Sequence, residues 1–333
     1  MTTGSMLDVP PAERGAHFAP AFGQRVLLTV DTEEEFNWRA PFRREGHGVS
    51  HVAAIPRFQA FCEQIGAHPV YMVDWPIVQD AAAVEIIGDA LRRGTADIGV
   101  QLHPWVNPPF DEAVNVFNSY AGNLPPALEA AKFKALREAI ESAFGTPPLI
   151  YRAGRYGLGP HTAAMLKDAG IRIDTSVRAL FDYSAQDGPD YSNHPVTPYW
   201  VDEERSLLEL PVTSAYWGPL REMGSTIQRV QRHTPTILRG FSRFRLLERI
   251  ALTPEGVSVE EALRGIDLSL DAGLPVLVLS FHSPSLAPGH TPYVPDEAAV
   301  EALYGWLEVV YRHFAGRGVR SCTTAEIIAA AGG

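Results

Sequence analysis

Val26-Leu27-Leu28-Thr29-Val30-Asp31-Thr32-Glu33-Glu34-Glu35 starts as an apolar run and ends in four carboxylates within five residues. A strand that is apolar on consecutive positions is buried on both faces, the habit of parallel sheets covered by helices. An acid at its C-terminal tip stands where parallel α/β folds place their sites. The same pattern recurs along the chain. Val70–Val73 runs into Asp74, Ile98–Leu102 into His103, Leu149–Tyr151 into Arg152 and Val276–Phe281 into His282, while Leu207–Leu210 carries Glu209 inside it. Ile171–Ile173 and the residues near Val319 read as further short strands.

Amphipathic segments separate these runs: Ile55–Ile65, Val84–Arg93, Leu128–Phe144, Thr162–Ala169, Val259–Asp271 and Glu297–Phe314, with a last one at Thr324–Ala331. Gly66, Gly94, Gly145, Gly170 and Gly273 follow five of them. Glycine readily takes the left-handed turn that closes a helix. About seven strand-then-helix units result, and right-handed crossovers arrange such units as a barrel or a doubly wound sheet. No linker divides two cores, so a single α/β domain is expected over 24–333. The segment Pro219–Arg249 interrupts the alternation, with six arginines between Arg229 and Arg249, and reads as a solvated helical insertion.

The 333 residues, 46% of them hydrophobic, suffice for one large core. A formal net charge of -11 argues against a duplex nucleic-acid partner, which selects a basic face. Cys62 and Cys322 are too few and too far apart for a disulfide framework or a paired-cysteine zinc site, and Cys62 reads as a small buried hydrophobe. Residues 1–23 mix Pro, Gly and charge without a basic start followed by an apolar run. A mobile leader with no signal peptide is expected there. No apolar run approaches the roughly 18 residues of a membrane span. Together these features predict a soluble, cytoplasmic chain without a membrane partner.

Each strand tip has its own chemistry. Asp31 is a candidate general base or cation ligand. Glu34 and Glu35 read as a solvated acidic loop. His103, fixed before Pro104 and beside Trp105, is a stiff imidazole of the kind zinc uses. In Tyr151-Arg152-Ala153-Gly154-Arg155-Tyr156-Gly157, Arg152 can clamp a carboxylate, whereas Arg155 belongs either to the site or to the surface. Glu209 is costly inside an apolar strand unless paired, so Arg152 is its expected partner. His282 leaves a buried strand for a Ser- and Pro-rich loop, as a general acid or as a loop anchor. Trp38, Trp75, Trp105, Tyr156 and Trp217 are candidate stacking platforms for a sugar, or core and rim packing.

Taken in order, Thr29-Val30-Asp31, Leu102-His103-Pro104-Trp105, Tyr151-Arg152-Ala153-Gly154, Leu208-Glu209-Leu210-Pro211 and Leu279-Ser280-Phe281-His282 resemble the polysaccharide deacetylase (NodB-homology) family. The resemblance is closest to its WalW-like branch and covers about Val26 to Ala331. It implies a distorted (β/α)7-type barrel that hydrolyses a C–N bond, removing an acetyl group from an N-acetylated sugar or related small amide. It assigns Asp31 as base, Arg152 as its orienting partner and His282 as acid; Trp105, Tyr156 and Glu209 are the candidate substrate-binding residues. Two departures stand out. Thr32 occupies the position of the family's second Asp, and Gln101 and Trp105 occupy those of its His-x-x-x-His ligand pair. The expected cofactor is therefore a single divalent ion, zinc first, on Glu33 and His103 with help from Asp31. A carbohydrate-binding protein without catalysis is the competing reading, with a small molecule or oligosaccharide as ligand in either case.

Overall fold

The computed structural model describes residues 5–221 and 247–332. Its strands are β1 (Arg25–Thr32), β2 (Pro69–Val73), β3 (Asp97–Leu102), β4 (Ile150–Ala153), β5 (Ile173–Asp174), β6 (Tyr199–Trp200), β7 (Leu208–Glu209), β8 (Ser214–Trp217), β9 (Glu248–Ala251), β10 (Val276–His282) and β11 (Arg320–Ser321). The main sheet runs β10-β1-β2-β3-β4-β5-β7, each neighbouring pair parallel. Antiparallel β6 ends it beyond β7, and β11 adds to the start of β1.

The stretch after β7 closes the gap to β10. Thr213 N–H donates to the Val278 carbonyl at 3.2 Å, and Ser280 N–H donates to that of Leu252 at 3.2 Å. The result is a single-domain distorted barrel, as the alternation and the resemblance predict.

The helices α1 (Ile55–Ile65), α2 (Trp75–Gln79), α3 (Ala81–Arg92), α4 (Pro126–Phe144), α5 (Thr162–Asp168), α6 (Val259–Asp271), α7 (Glu297–Gly316) and α8 (Thr324–Ala331) accompany the strands. Two start signals are explicit: Ser258 and Glu261 form a capping box on α6, and Thr323 and Glu326 form one on α8. Strand side chains alternate between two cores. Val26, Leu28, Val30, Leu277, Leu279 and Phe281 join the core shared with the helices. Leu27, Met72, Ile150, Leu208, Val276 and Val278 fill the barrel itself. Complete burial of each such side chain contributes roughly 1.5–3 kcal/mol, which explains why the strands are apolar on both faces.

Two expectations need correction. Residues 5–23 are seated against the barrel rather than forming a detached leader. Met6 is 2% exposed, Ala16 N–H donates to the Pro198 carbonyl at 3.0 Å, and Phe18 and Phe22 pack under the barrel with Ile328. The apolar residues of this segment find the barrel's lower opening and the β6 edge, a destination that local sequence does not reveal. The arginine-rich insertion lies mostly outside the described residues. Its described end, Arg249 included, is strand β9 paired antiparallel with β8, not helix. Among the described residues, no helix is long and apolar enough to cross a membrane.

Candidate active site

Alternation decides which strand-tip residues meet. With Leu27, Ile150, Val276 and Val278 inside the barrel, the inward positions above them are Thr29, Asp31, Arg152, Ser280 and His282. Gln101 and His103 rise in the same way from β3. All of these except the deeper Thr29 open into a cleft of about 360 Å³ lined also by Glu33, Glu255, Trp38, Tyr156 and Tyr293. Asp31, His103, Arg152 and His282, from the tips of four different strands, therefore share one cavity.

Arg152 is 1% exposed and fully engaged. Its Nη1 donates to Asp31 Oδ1 and to Ser280 Oγ at 2.7 Å, Nη2 to Thr29 Oγ1 at 2.9 Å, and Nε to the Thr175 carbonyl at 3.0 Å. One oxygen of Asp31 is thus committed. The other, Oδ2, stands 3.9 Å from His282 Nε2. On its far side, His282 Nδ1 meets Glu255 Oε2 at 2.6 Å, and Glu255 Oε1 accepts from His282 N–H and from Ser285 Oγ. Burial alone would depress the imidazolium, but Glu255, Glu33 and Asp31 outweigh it and hold its pKa up at about 10. His282 is therefore a proton donor at neutral pH. Glu255 escapes sequence reading because it sits outside any strand, in a Pro254-Glu255-Gly256 turn.

His103 is buried and neutral, its pKa pushed down to about 4 by burial against the opposing pull of Asp74 and Asp31. Its Nδ1 meets Glu34 Oε2 at 2.8 Å, and the other oxygen of Glu34 accepts from the Trp105 indole at 2.6 Å. Asp74 accepts from Glu34 N–H at 2.8 Å and caps α2 through Ile77 N–H at 3.1 Å. Glu34, Asp74 and His103 are close enough to hold a metal ion. Their atoms already satisfy one another, however, and this arrangement fixes the tautomer so that His103 Nε2 faces the cleft.

There His103 Nε2 lies 3.4 Å from Glu33 Oε2 and 3.2 Å from the Gln101 amide nitrogen. Glu33 Oε1 and Gln101 Oε1 are buried without a hydrogen-bond partner. Unpartnered acceptors beside a neutral imidazole suit a divalent cation, and mixed N/O sets are ones zinc accepts. Burial and the charges of Glu34, Asp31 and Asp74 raise the Glu33 carboxyl well above its ordinary value, although His282 opposes them. The expected pair of Glu33 and His103 is thus adjacent, and Gln101 joins it.

Other expectations change. Glu209 does not meet Arg152. With Leu208 and Leu210 pointing into the barrel, Glu209 points out, accepts from Val177 N–H at 3.1 Å and shares a hydrogen bond with Asp174. Burial and the Asp174 charge raise its pKa well above the ordinary range. It has no place in the cleft. Trp105 lines the cavity but is 2% exposed and stacks on His103 with centroids 4.3 Å apart, so its main role is to hold the imidazole. Trp75 and Trp217 lie outside the cleft lining, whereas Trp38 and Tyr156 lie on it.

Glu34 is buried rather than solvated, and Glu35 faces a different cluster. Ser283 Oγ lies 2.7 Å from His51 Nε2, and His51 Nδ1 lies 3.1 Å from Glu35 Oε1. This resembles a hydrolytic triad, but Ser283 and His51 are buried and neither lines the cleft. The cluster ties the acidic loop to the end of β10.

The chain matches no family model and no curated protein. Among solved structures, its fold is similar to that of a Mycobacterium smegmatis protein described as a polysaccharide deacetylase. That likeness has TM-score 0.54 and 19% identity, over 97% of this chain and 94% of the other. A Pseudomonas aeruginosa protein of the same description gives TM-score 0.50 and 12% identity, over 96% and 93%. The 4-alpha-glucanotransferase of Thermococcus litoralis gives TM-score 0.52 and 12% identity, over 92% of this chain and 40% of the other. The likeness is one of fold, and the fold alone carries more than one chemistry.

Proposed function

We propose that the cleft hydrolyses an acetyl amide on a small sugar or related molecule, as a polysaccharide deacetylase of the WalW-like branch. The observation that carries this reading is the facing pair of Asp31 and His282, one carboxylate oxygen opposite an imidazolium, each locked from behind by a buried partner. An attacking water bonds through its oxygen to the acyl carbon while Asp31 Oδ2 accepts its proton. When the C–N bond breaks, His282 Nε2 gives its proton to the departing amine, and acetate and free amine leave. Arg152 keeps Asp31 oriented, and Glu255 holds His282 charged before the step.

Glu33, Gln101 and His103 are the residues that would hold a divalent cation, with Asp31 nearby. Bound there, such a cation supplies Lewis acidity to the acyl oxygen. Glu34 and Trp105 keep His103 aimed at that position.

The test is release of acetate from N-acetylglucosamine and its oligomers by zinc-loaded protein. Asp31→Asn and His282→Ala should each lower the rate about 100-fold or more, with little change in melting temperature. Sugar binding without acetate release would favour the carbohydrate-binding reading, which Gln101 and Trp105 at the two usual ligand positions support.

A further inference from the structure

The cleft wall also carries two arginines that the hydrolytic reading does not use. Arg155 and Arg178 both line the cavity. Two carboxylates of the cavity are already matched: Asp31 pairs with Arg152 and Glu255 with His282. Neither Arg155 nor Arg178 has a carboxylate within ion-pair distance among the described residues. Two positive charges are thus left facing the cavity of a chain whose formal charge is -11.

Both side chains are held in place rather than trailing in solvent. Arg155 has φ 55, in the left-handed region where a non-glycine residue is strained, and Tyr156 follows with φ 61. Arg155 lies over the Tyr120 ring at 4.1 Å and donates to Ser119 Oγ at 2.5 Å and to Gln186 Oε1 at 2.6 Å. Arg178 lies over the Phe181 ring at 4.0 Å and donates to the Tyr183 hydroxyl at 3.3 Å. Its Nε is buried with no partner. Tyr183 stacks on Tyr156 and neighbours both guanidiniums.

We propose that Arg155 and Arg178 form an oxyanion subsite, and that the substrate carries a carboxylate or phosphate group in addition to its acetyl amide. Guanidinium forks match both groups, and a partly desolvated pair of them discriminates against a neutral analogue that leaves them bare. The inference rests on the hydrolase reading for the position of the acetyl group, which would lie between Asp31 and His282, with the anion beside Tyr183.

Calorimetry on the full chain with three probes tests it: neutral N-acetylglucosamine, N-acetylmuramic acid with its carboxylate, and N-acetylglucosamine 6-phosphate. The wild type should bind one anionic probe at least about 10-fold tighter than the neutral one, the scale of a hydrogen bond to a charged group. Which probe gains identifies carboxylate or phosphate. Arg155→Gln/Arg178→Gln should remove that preference and leave neutral-probe affinity within about twofold, while Arg155→Lys/Arg178→Lys should keep part of it. Equal affinity for neutral and anionic probes in the wild type, or a preference surviving in the Gln variant, overturns the subsite. Should no sugar bind, inorganic phosphate decides: thermal protection of the wild type but not of the Gln variant supports the subsite, and equal or absent protection overturns it. Anion preference without acetate release would sink the hydrolase reading alone. Acetate release without anion preference would sink the subsite alone.

Discussion

Glu255→Gln isolates the charge that keeps His282 protonated. The carboxylate sits 2.6 Å from His282 Nδ1, and glutamine preserves an acceptor there while removing the charge. With Glu255 present, the His282 pKa is held up at about 10, so the acid is charged through neutral pH. Loss of an opposite charge at this range moves such a group by about one to three pH units toward neutral. If the group titrates near 8, the protonated fraction at pH 9 falls from about nine-tenths to about one-tenth, and the rate there drops about tenfold. At pH 6 the rate should change little, because the acid stays protonated in both proteins.

The sign for stability is the same. Folding raises the His282 pKa above its unfolded value, so the pair's contribution is fully present below about pH 6.5 and is lost as pH climbs through about 10. Two assays read this: the alkaline limb of the pH–rate profile, and imidazole titration followed by nitrogen NMR. An unmoved limb together with an unmoved titration would refute the reasoning, as would a uniform loss of rate at every pH.

Three other perturbations have defined outcomes. Arg152→Met leaves the Asp31 carboxylate buried without its partner and should cost about 3–5 kcal/mol in denaturant unfolding; a loss under about 1 kcal/mol would show that Asp31 escapes to water. Glu34→Gln leaves His103 without its anionic support and should weaken zinc binding about 10- to 100-fold by calorimetry. Unchanged affinity would remove Glu34 from the site's support, and complete loss would make it a ligand. Gly154→Ala places a methyl group against the His103 ring and 2.7 Å from the Leu102 carbonyl, and should cost about 1–3 kcal/mol in stability and lower zinc affinity with it. A normal melting temperature would show that the β3–β4 contact has slack.

Much of the site was legible in the sequence because a parallel barrel gathers strand tips on one face. A local pattern, apolar run then polar residue, therefore carries global information for Asp31, His103, Arg152 and His282. The pattern does not say which way a side chain points when both faces of a strand are buried. Glu209 lies between Leu208 and Leu210, and only the barrel's register shows that the leucines take the inside and Glu209 the outside. Glu34 looked solvated because an acidic run is usually exposed. It is buried because Asp74, Trp105 and His103, distant in sequence, supply its hydrogen bonds. Glu255 and Arg178 sit outside the strand pattern and left no signal at all.

By itself, then, the sequence determined the alternation of strand and helix, the single domain and the strand tips that bear chemistry, since these follow from local periodicity and from where parallel strands must end. Tertiary structure alone decided which carboxylate pairs with which cation, which histidine is charged and which arginines remain unmatched. Those depend on burial and on distances between residues far apart in the chain, and no local pattern encodes them.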